Sequence, residues 1–203
     1  MNVHSNNPSE DPKRRQILEA ALELFSEEGF HGTSMAALAK KAGLPVGTIY
    51  RHFAGKEELI HALYIEIKRA RFAALLKDYD PDAPLRTRFE TLWRNIFEYC
   101  LAHPREFRFA EQYGFSPFLA DIRKSIQIDF PKEILAFYED GYRDGLFKPL
   151  PPQILSALIS GPLNALVTRV LGGVVKPSPA TLLDVMDACW DAISTRPQDR
   201  TST

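Results

Sequence analysis

Apolar residues recur at three- and four-residue steps through most of this chain, which is the spacing of one face of an α-helix. The first such stretch carries Ile17, Ala21 and Leu24; it begins at Pro12 and ends at Gly29. Proline at a first turn and glycine after the last periodic residue are typical helix boundaries. No alternating pattern of useful length, which would indicate a strand, occurs in the sequence. The pattern predicts an all-α protein of about nine helices.

Two short apolar-periodic segments come next. Residues 34–42 place Leu38 and Ala42 on one face, and Gly43 breaks the helix. The following segment, residues 44–59, has an apolar underside because Ile49 and Phe53 stand four apart. Two short helices joined by a glycine-containing turn predict a helix-turn-helix, whose second helix enters the major groove of DNA.

Helical periodicity continues to the end of the chain. Further helices are predicted, in chain order, from Lys56 through Leu75, over residues 85–102, from Pro104, from Pro117 to near Gly145 with a kink or break at Pro131, over residues 154–175, and from Pro179 to Ser194. Residues 154–175 are apolar enough to raise the possibility of a membrane span. Asn164, Arg169 and Pro162 argue against it, so we expect a helix that is buried against a partner.

Composition changes this picture little. Hydrophobic residues make up 45% and charged residues 25% of the 203 positions, as in ordinary soluble globular proteins. Cys100 and Cys189 are too far apart to suggest a disulfide framework or metal ligands. The first 16 residues are polar and contain no signal-peptide core, so we expect a cytoplasmic protein. The residues suggest no cofactor and no metal.

Local charge is more informative than net charge. Residues 1–71 carry ten basic and nine acidic side chains, a net of only +1. The acids are unevenly distributed, because none lies between Gly29 and Lys56, whereas Lys40, Lys41 and Arg51 do. The helix-turn-helix therefore has a positive face suited to a phosphate backbone.

At this point the chain resembles the TetR family of one-component bacterial transcription regulators. The resemblance rests on the run ILEAALELFSEEGFHGTSMAALAKKAGLPVGTIYRHFAGKEELI, residues 17–60. Two positions depart from the family pattern: Pro45 stands where the family usually has Ser, and Gly55 where it often has Ser or Asn. Beyond this run only the helical layout is similar.

The resemblance implies a two-domain organisation and a list of residues that bind DNA. The implied parts are a disordered tail (residues 1–11), a three-helix helix-turn-helix DNA-binding domain (12–55), a connecting helix (56–77), a larger helical ligand-binding and dimerisation domain (78–197) and a second disordered tail (198–203). The positions assigned to DNA are Thr33 and Ser34 (capping and phosphate), Tyr50, His52 and Lys56 (phosphate), and Val46, Gly47, Thr48 and Arg51 (base edges). For Arg51, bidentate reading of guanine and a phosphate contact remain equal alternatives.

Fourteen of the 22 aromatic residues lie between Phe89 and Phe147. Aromatic residues at helical spacing usually form a packed core, but the resemblance implies an inducer cavity among these helices. The predicted ligand-binding residues are Trp93, Phe97, Cys100, Phe107, Glu111, Tyr113, Phe118 and Phe137; Arg108, Gln112 and Asp129 are further polar groups in this region. A ligand here is expected to displace the fourth helix and so change the spacing of the two recognition helices.

The resemblance also implies a homodimer, with the last two helices forming a four-helix bundle with their mates. The predicted interface consists of Leu155, Leu158, Ile159, Pro162, Leu166, Val170, Leu182, Met186, Trp190 and Ile193. The alternative is that these helices only close the core of a monomer.

The function predicted on this basis is a homodimeric repressor that a small, largely apolar or aromatic ligand releases from a palindromic operator in double-stranded DNA. Repression is preferred to activation only because members of this family usually repress transcription. An architectural or occlusion protein of the same fold without an inducer is a second hypothesis. An enzyme in the middle domain is disfavoured, because His103, Glu111, Asp129 and Cys100 form no recognisable catalytic motif.

Overall fold

The computed structural model describes residues 11–113 and 130–195. Apart from Asp11, the predicted tails lie outside these ranges. So do Phe118 and Asp129 of the predicted ligand-binding region, and residues 196–197 at the end of the predicted second domain. Nine α-helices are found within the described residues: α1 (Pro12–Gly32), α2 (Met35–Ala42), α3 (Val46–His52), α4 (Lys56–Leu75), α5 (Leu85–Ala102), α6 (Pro104–Tyr113), α7 (Lys132–Arg143), α8 (Pro152–Leu171) and α9 (Pro179–Ile193). The predicted all-α class is confirmed.

Helix ends follow the local sequence closely. The Asp11 side chain caps α1 by accepting from the Lys13 amide at 2.9 Å. Within α1, Gly29 leaves helical geometry at φ +73°, so the regular helix stops where the sequence predicted. The Ser178 hydroxyl caps α9 by accepting from the Thr181 amide at 3.1 Å. These interactions are all between near neighbours, and the sequence therefore reveals them.

The chain divides into two compact units. Among the described residues, the first comprises residues 11–70 and 105–113, and the second residues 71–104 and 130–195. The predicted boundaries differ from this division, because they assigned everything after residue 77 to the second domain. The structure instead groups α6, from Arg105 onward, with the first unit.

The core of the first unit is built by α1, α2, α3, the first part of α4, and α6. Phe25, Leu38, Ile49 and Leu59 are buried at its centre. In this unit α1 packs on α2, and α2 packs on α3.

The second unit is built around α5, which packs against α7, α8 and α9. The buried side chain of Arg88 connects α5 to two other parts of this unit through hydrogen bonds. The Arg88 guanidinium donates to the Tyr79 hydroxyl at 2.7 Å and to the Asp140 carboxylate at 2.6 Å. At the end of α9 the Lys148 amide donates to the Ile193 carbonyl at 2.9 Å.

Candidate nucleic-acid interface

The turn between α2 and α3 fixes the direction of the third helix. Gly43 adopts a left-handed conformation at φ +63°, and its amide donates to the Lys40 carbonyl at 3.2 Å. The Leu44 amide then donates to the Ala39 carbonyl at 3.0 Å. This pair of bonds closes the end of α2 and turns the chain within three residues, and a non-glycine residue would be strained at Gly43.

The start of each helix in this motif is capped differently. The Ser34 hydroxyl caps α2 by accepting from the Ala37 amide at 3.1 Å, as the sequence indicated. Pro45 occupies the cap position of α3 rather than its first turn, and no side chain caps this helix. The Pro45 carbonyl still accepts from the Thr48 amide at 2.8 Å. Amides at the start of α3 thus keep donor capacity for an external acceptor.

One face of α3 points outward. Ile49 and the following Phe53 are buried in the core, whereas Val46, Gly47, Tyr50 and Arg51 are exposed. In the described part of the chain, apart from its chain neighbours and the backbone of α3, no atom lies within 4 Å of the place that a Cβ atom would take at Gly47. The outward face therefore combines apolar, aromatic and cationic side chains around a gap at Gly47.

Two hydroxyl residues assigned to DNA do not lie on this face. Thr33 is 2% exposed, and its hydroxyl donates to the Gly29 carbonyl at 2.9 Å. Thr48 comes one residue after Gly47 on α3, on the side that faces the core, and it is 9% exposed. The structure therefore buries both residues, and their contact with DNA stays a prediction that these positions do not favour. The sequence could not reveal it, because the packing of α1 and α2 decides which hydroxyls remain accessible.

Lys56 has a different role from the predicted phosphate contact. Its ammonium donates to the Thr33 carbonyl at 2.8 Å and also to the Phe30 carbonyl. It lies 4.2 Å from the centroid of the Phe30 ring. An ammonium has three donors, and two of them are used here. Lys56 therefore attaches the start of α4 to the end of α1, and at most one donor remains for a phosphate.

The C-terminal end of α3 lies beside the start of α1. The Nε2 atom of His52 is 3.5 Å from a carboxylate oxygen of Asp11, and the imidazole is largely buried. The Arg14 guanidinium carbon lies 5.4 Å from the centroid of the Phe53 ring. His52 therefore has a partner within the protein in addition to its predicted phosphate.

The positive face is smaller than the residue count implies. Lys41 forms an ion pair with Glu23, and the hydrogen bond from Lys41 lowers the pKa of the Glu23 carboxyl. Lys40 and Arg51 are exposed and form no ion pair with any residue that the structure describes. These two cations and Tyr50 are exposed polar groups that a polyanion can reach.

Helix α6, which the sequence predicted as a helix but not as a part of the first unit, completes the core of that unit. Phe109 and Tyr113 of α6 are buried beside Phe25, with ring centroids 6.3 Å from it in both cases. Burial raises the pKa of the Tyr113 hydroxyl to about 12, and the Phe30 backbone acts in the opposite direction. The α6 sequence alone shows amphipathicity, but nothing in it identifies the core that it joins.

The predicted ligand-binding residues are therefore divided between the two units. Tyr113 and Phe107 are buried in helix α6 of the first unit, and Glu111 is exposed there. The four that the second unit contains are all buried: Trp93, Phe97, Cys100 and Phe137.

Aromatic rings pack closely inside the second unit. Trp93 stacks on Phe97 with centroids 5.2 Å apart, and Phe137 meets Phe147 edge-on at 5.1 Å. Trp190 joins the same region at 5.7 Å from Phe147. These contacts are those of a packed aromatic core. Burial also raises the pKa of the Cys189 thiol in this unit.

The predicted dimer face needs correction. Leu155, Met186 and Ile193 are buried within their own chain, so they are not available to a partner. Leu158 and Pro162 are exposed, and the remaining predicted positions are half-buried: Ile159, Leu166, Val170, Leu182 and Trp190. Besides Leu158, these two helices expose Ile154 and Leu183, which the prediction did not include. Apolar periodicity identified both helices but not which apolar side faces its own core.

By length and composition α8 could cross a membrane, and among the described residues it is the one helix that is long and apolar enough. Of its apolar 18-residue stretch, 17% is buried. One such helix is weak evidence, because core helices of soluble proteins pass the same test. In the part of the chain that the structure describes, no group of three or more His, Cys, Asp or Glu side chains could hold a metal ion.

Comparison with known proteins places these elements in a family. Residues 17–63 match the family model described as bacterial regulatory proteins, tetR family. Residues 84–194 match a tetracyclin repressor-like, C-terminal domain, and this match covers more than half of the chain.

Two curated relatives are similar over part of their length. An uncharacterized HTH-type transcriptional regulator of Haemophilus influenzae is 33% identical over 112 residues, which are 55% of this chain and 60% of the relative. The HTH-type transcriptional regulator UidR of Escherichia coli is 49% identical over 55 residues, 27% of this chain and 28% of UidR. The chain thus spans less than two thirds of either relative.

Solved structures match over almost the whole chain. A putative tetR family transcription regulator from Shewanella sp. PV-4 superposes with a TM-score of 0.83 at 26% identity, covering 92% of this chain and 100% of that one. A putative TetR family regulator from Vibrio parahaemolyticus gives 0.79 at 30% identity, covering 91% and 100%.

Proposed function

This chain belongs to the TetR family of bacterial regulatory proteins, and from that premise we propose that it is a cytoplasmic, homodimeric repressor that binds a palindromic operator. The relatives named above are transcription regulators rather than enzymes. Regulators of this family bind DNA, and many of them dimerise and bind small-molecule effectors.

The observation that carries the proposal is the outward face of α3. A glycine turn at Gly43 presents this helix, and its exposed side holds Val46, Tyr50 and Arg51 with a gap at Gly47. A helix presented in this way fits the major groove, which is about 12 Å wide. The lack of acidic residues between Gly29 and Lys56 removes repulsion from phosphates.

Dimerisation is proposed through the outward sides of α8 and α9. Ile154, Leu158 and Leu183 expose large apolar side chains there, although their helices belong to a packed unit. Exposed large apolar residues that cluster on packed helices favour a protein partner. A second copy fits because two recognition helices must enter successive major grooves about 34–36 Å apart.

The effector is proposed to be a small, largely apolar or aromatic molecule that binds in the second unit. The support is the concentration of buried aromatic side chains there, including Trp93, Phe97 and Phe137. Such a molecule acts only through different affinities for two arrangements of the dimer. Helix α4 continues from the first unit into the second, so a shift of this helix would reach α3.

The test of DNA binding begins with selection from random DNA duplexes by the full-length protein. We expect enrichment of a two-fold symmetric sequence, bound much more tightly than unrelated duplexes in a mobility-shift assay. Arg94 is exposed on α5 of the second unit, so Arg94→Ala is a matched control for Arg51→Ala and should leave binding unchanged. Equal affinity for all duplexes would contradict the proposal and favour the occlusion protein.

The effector is tested by adding a panel of small apolar and aromatic compounds to the complex with the selected duplex. A true effector should release the protein from DNA and raise the melting temperature of the free protein. Unchanged operator affinity across a broad panel would remove this part of the proposal and leave the DNA-binding part standing.

A further inference from the structure

The first unit exposes two large apolar side chains among its described residues, and both belong to α3. Val46 is 45% exposed and Tyr50 is 53% exposed. They stand four residues apart, so they are neighbours on one side of the helix. The first unit otherwise buries or half-buries its large apolar side chains in the part that the structure describes.

The N-terminal half of α3 offers no side-chain hydrogen bond to a base. Pro45, Val46 and Gly47 carry no polar side-chain atom, and the hydroxyl-bearing Thr48 is turned toward the core. The polar tips of the outward face, the Tyr50 hydroxyl and the Arg51 guanidinium, come one turn later. Any base that the side chains of this half of the helix discriminate is therefore recognised by apolar contact.

In the major groove one apolar group distinguishes the bases, namely the 5-methyl group of thymine. We infer that Val46, flanked by the ring of Tyr50, contacts a thymine methyl in each half-site and makes thymine the preferred base there. Among the described residues outside α3 and its flanks, none comes within 4 Å of the Cβ position of Gly47, which leaves room beside this pair for the base edges. The inference rests on the proposed function and assigns a sequence preference to it.

Contact with the methyl group would bury apolar surface that Val46 and Tyr50 expose in the free protein. The free energy falls when a ligand removes the surface of an apolar side chain from water. Val46 and Tyr50 are exposed to solvent in the structure, and a thymine methyl group offers them an apolar surface.

The experiment uses the duplex selected from the random library. Each thymine of a half-site is replaced in turn by deoxyuridine, which lacks only the 5-methyl group, and dissociation constants are measured for the full-length protein. At one position in each half-site we expect binding to weaken about fourfold, the effect of leaving one methyl-sized group unburied.

The variant Val46→Ala completes a double-mutant cycle. It should weaken binding to the thymine duplex, and the deoxyuridine penalty at that one position should disappear. Val46 is exposed, so the substitution leaves the core intact; circular dichroism checks the fold. Leu135→Ala, at an exposed leucine of α7 in the second unit, is the control that should keep the full penalty.

Equal affinity for every deoxyuridine duplex would overturn the inference, and so would a penalty that persists unchanged in Val46→Ala. Either result would leave the proposed function intact, because a sequence would still have been selected. If no sequence is enriched, the proposed function itself fails and the inference falls with it.

Discussion

Arg51 is exposed on the outward face of α3 and forms no ion pair with the described residues, which leaves its guanidinium for DNA. We predict that Arg51→Ala lowers discrimination by about 1–3 kcal/mol at one base pair of each half-site, as for a bidentate contact to guanine. Affinities for a set of single-substitution operator duplexes measure this. An equal loss on every sequence would identify a phosphate contact instead, and the slope of affinity against salt would then fall.

Gly47 is a helical glycine with nothing near its Cβ position, so the fold does not require it. Alanine there should stabilise the protein by roughly 0.5–1 kcal/mol, because a helical glycine loses more backbone entropy on folding. We predict that Gly47→Ala nevertheless binds the operator more weakly, since the new methyl group occupies space on the face presented to DNA. Urea unfolding and mobility-shift titration separate the two effects. Unchanged affinity would mean that the backbone does not approach the DNA at this position.

At the residue scale, the sequence identified the type of side chain but not always its availability. The exposed positions Val46, Gly47, Tyr50 and Arg51 were assigned to DNA from the sequence and its resemblance to the TetR family, and their roles remain predictions. Thr33 fits the same pattern, yet its hydroxyl is used by the Gly29 carbonyl. Hydrogen-bonding groups are claimed by neighbours that the fold supplies, so their availability is a tertiary property.

Helix α7 packs its backbone directly against an aromatic ring. A Cβ atom at Gly141 would lie 2.1 Å from Cδ2 of Phe147, and Phe147 is held by Phe137 and Trp190. We predict that Gly141→Ala destabilises the protein by about 1–3 kcal/mol through overpacking. Thermal or urea unfolding measures it, with Gly47→Ala as the control for the gain in helix propensity. A stabilised Gly141→Ala would show that the ring can move aside.

Helix α7 is also tied to α5 by the ion pair of Asp140 with Arg88. The hydrogen bond from Arg88 holds the pKa of the Asp140 carboxyl below its ordinary value of 3.8, against the effect of partial burial. The folded state then binds fewer protons than the unfolded chain, so this stabilisation is complete above the ordinary pKa and is lost as pH falls through the lowered one.

Asp140→Asn is therefore expected to cost about 1–3 kcal/mol of unfolding free energy at neutral pH, as for a hydrogen bond between charged groups. The difference from the native protein should shrink below about pH 4. Urea unfolding at a series of pH values measures it. Asp144→Asn, at an exposed acid paired only with Arg143, should change little. A difference that stays constant down to pH 2 would contradict the assigned role of the carboxylate.

At the element scale, the sequence predicted most helices and their caps because those depend on residues within one or two turns. Gly29, Gly43 and Ser178 marked helix ends that the structure contains. The side of a helix that faces its own core was less accessible to prediction. In α8, Leu155 is fully buried and Leu158 is exposed, although both belong to the apolar set that the sequence assigned to one interface. Periodicity locates an apolar stripe but does not divide it between a core and a partner.

For the whole molecule, the proposed dimer makes a prediction about concentration. Leu158→Glu introduces a charge on the exposed apolar side of α8, and we expect a monomer in sedimentation equilibrium where the native chain is a dimer. Operator affinity should fall by roughly 10²–10⁴, because two half-sites are no longer bound by one linked molecule. Leu135→Glu, at a leucine with similar exposure on α7, is the matched control. A Leu158→Glu protein that remains dimeric would place the interface elsewhere.

The sequence by itself determined the all-α class, the helix-turn-helix and its acid-free face, because periodicity, caps and local charge are written in residues close together along the chain. Only the tertiary structure decided that α6 completes the core of the first unit through Phe109 and Tyr113. It likewise decided that Lys56 holds the carbonyls of Phe30 and Thr33. These partners are more than 20 residues apart in the chain, and each of their side chains is compatible with several environments. The free energy of packing the whole unit selects one of them, and no local pattern records that choice.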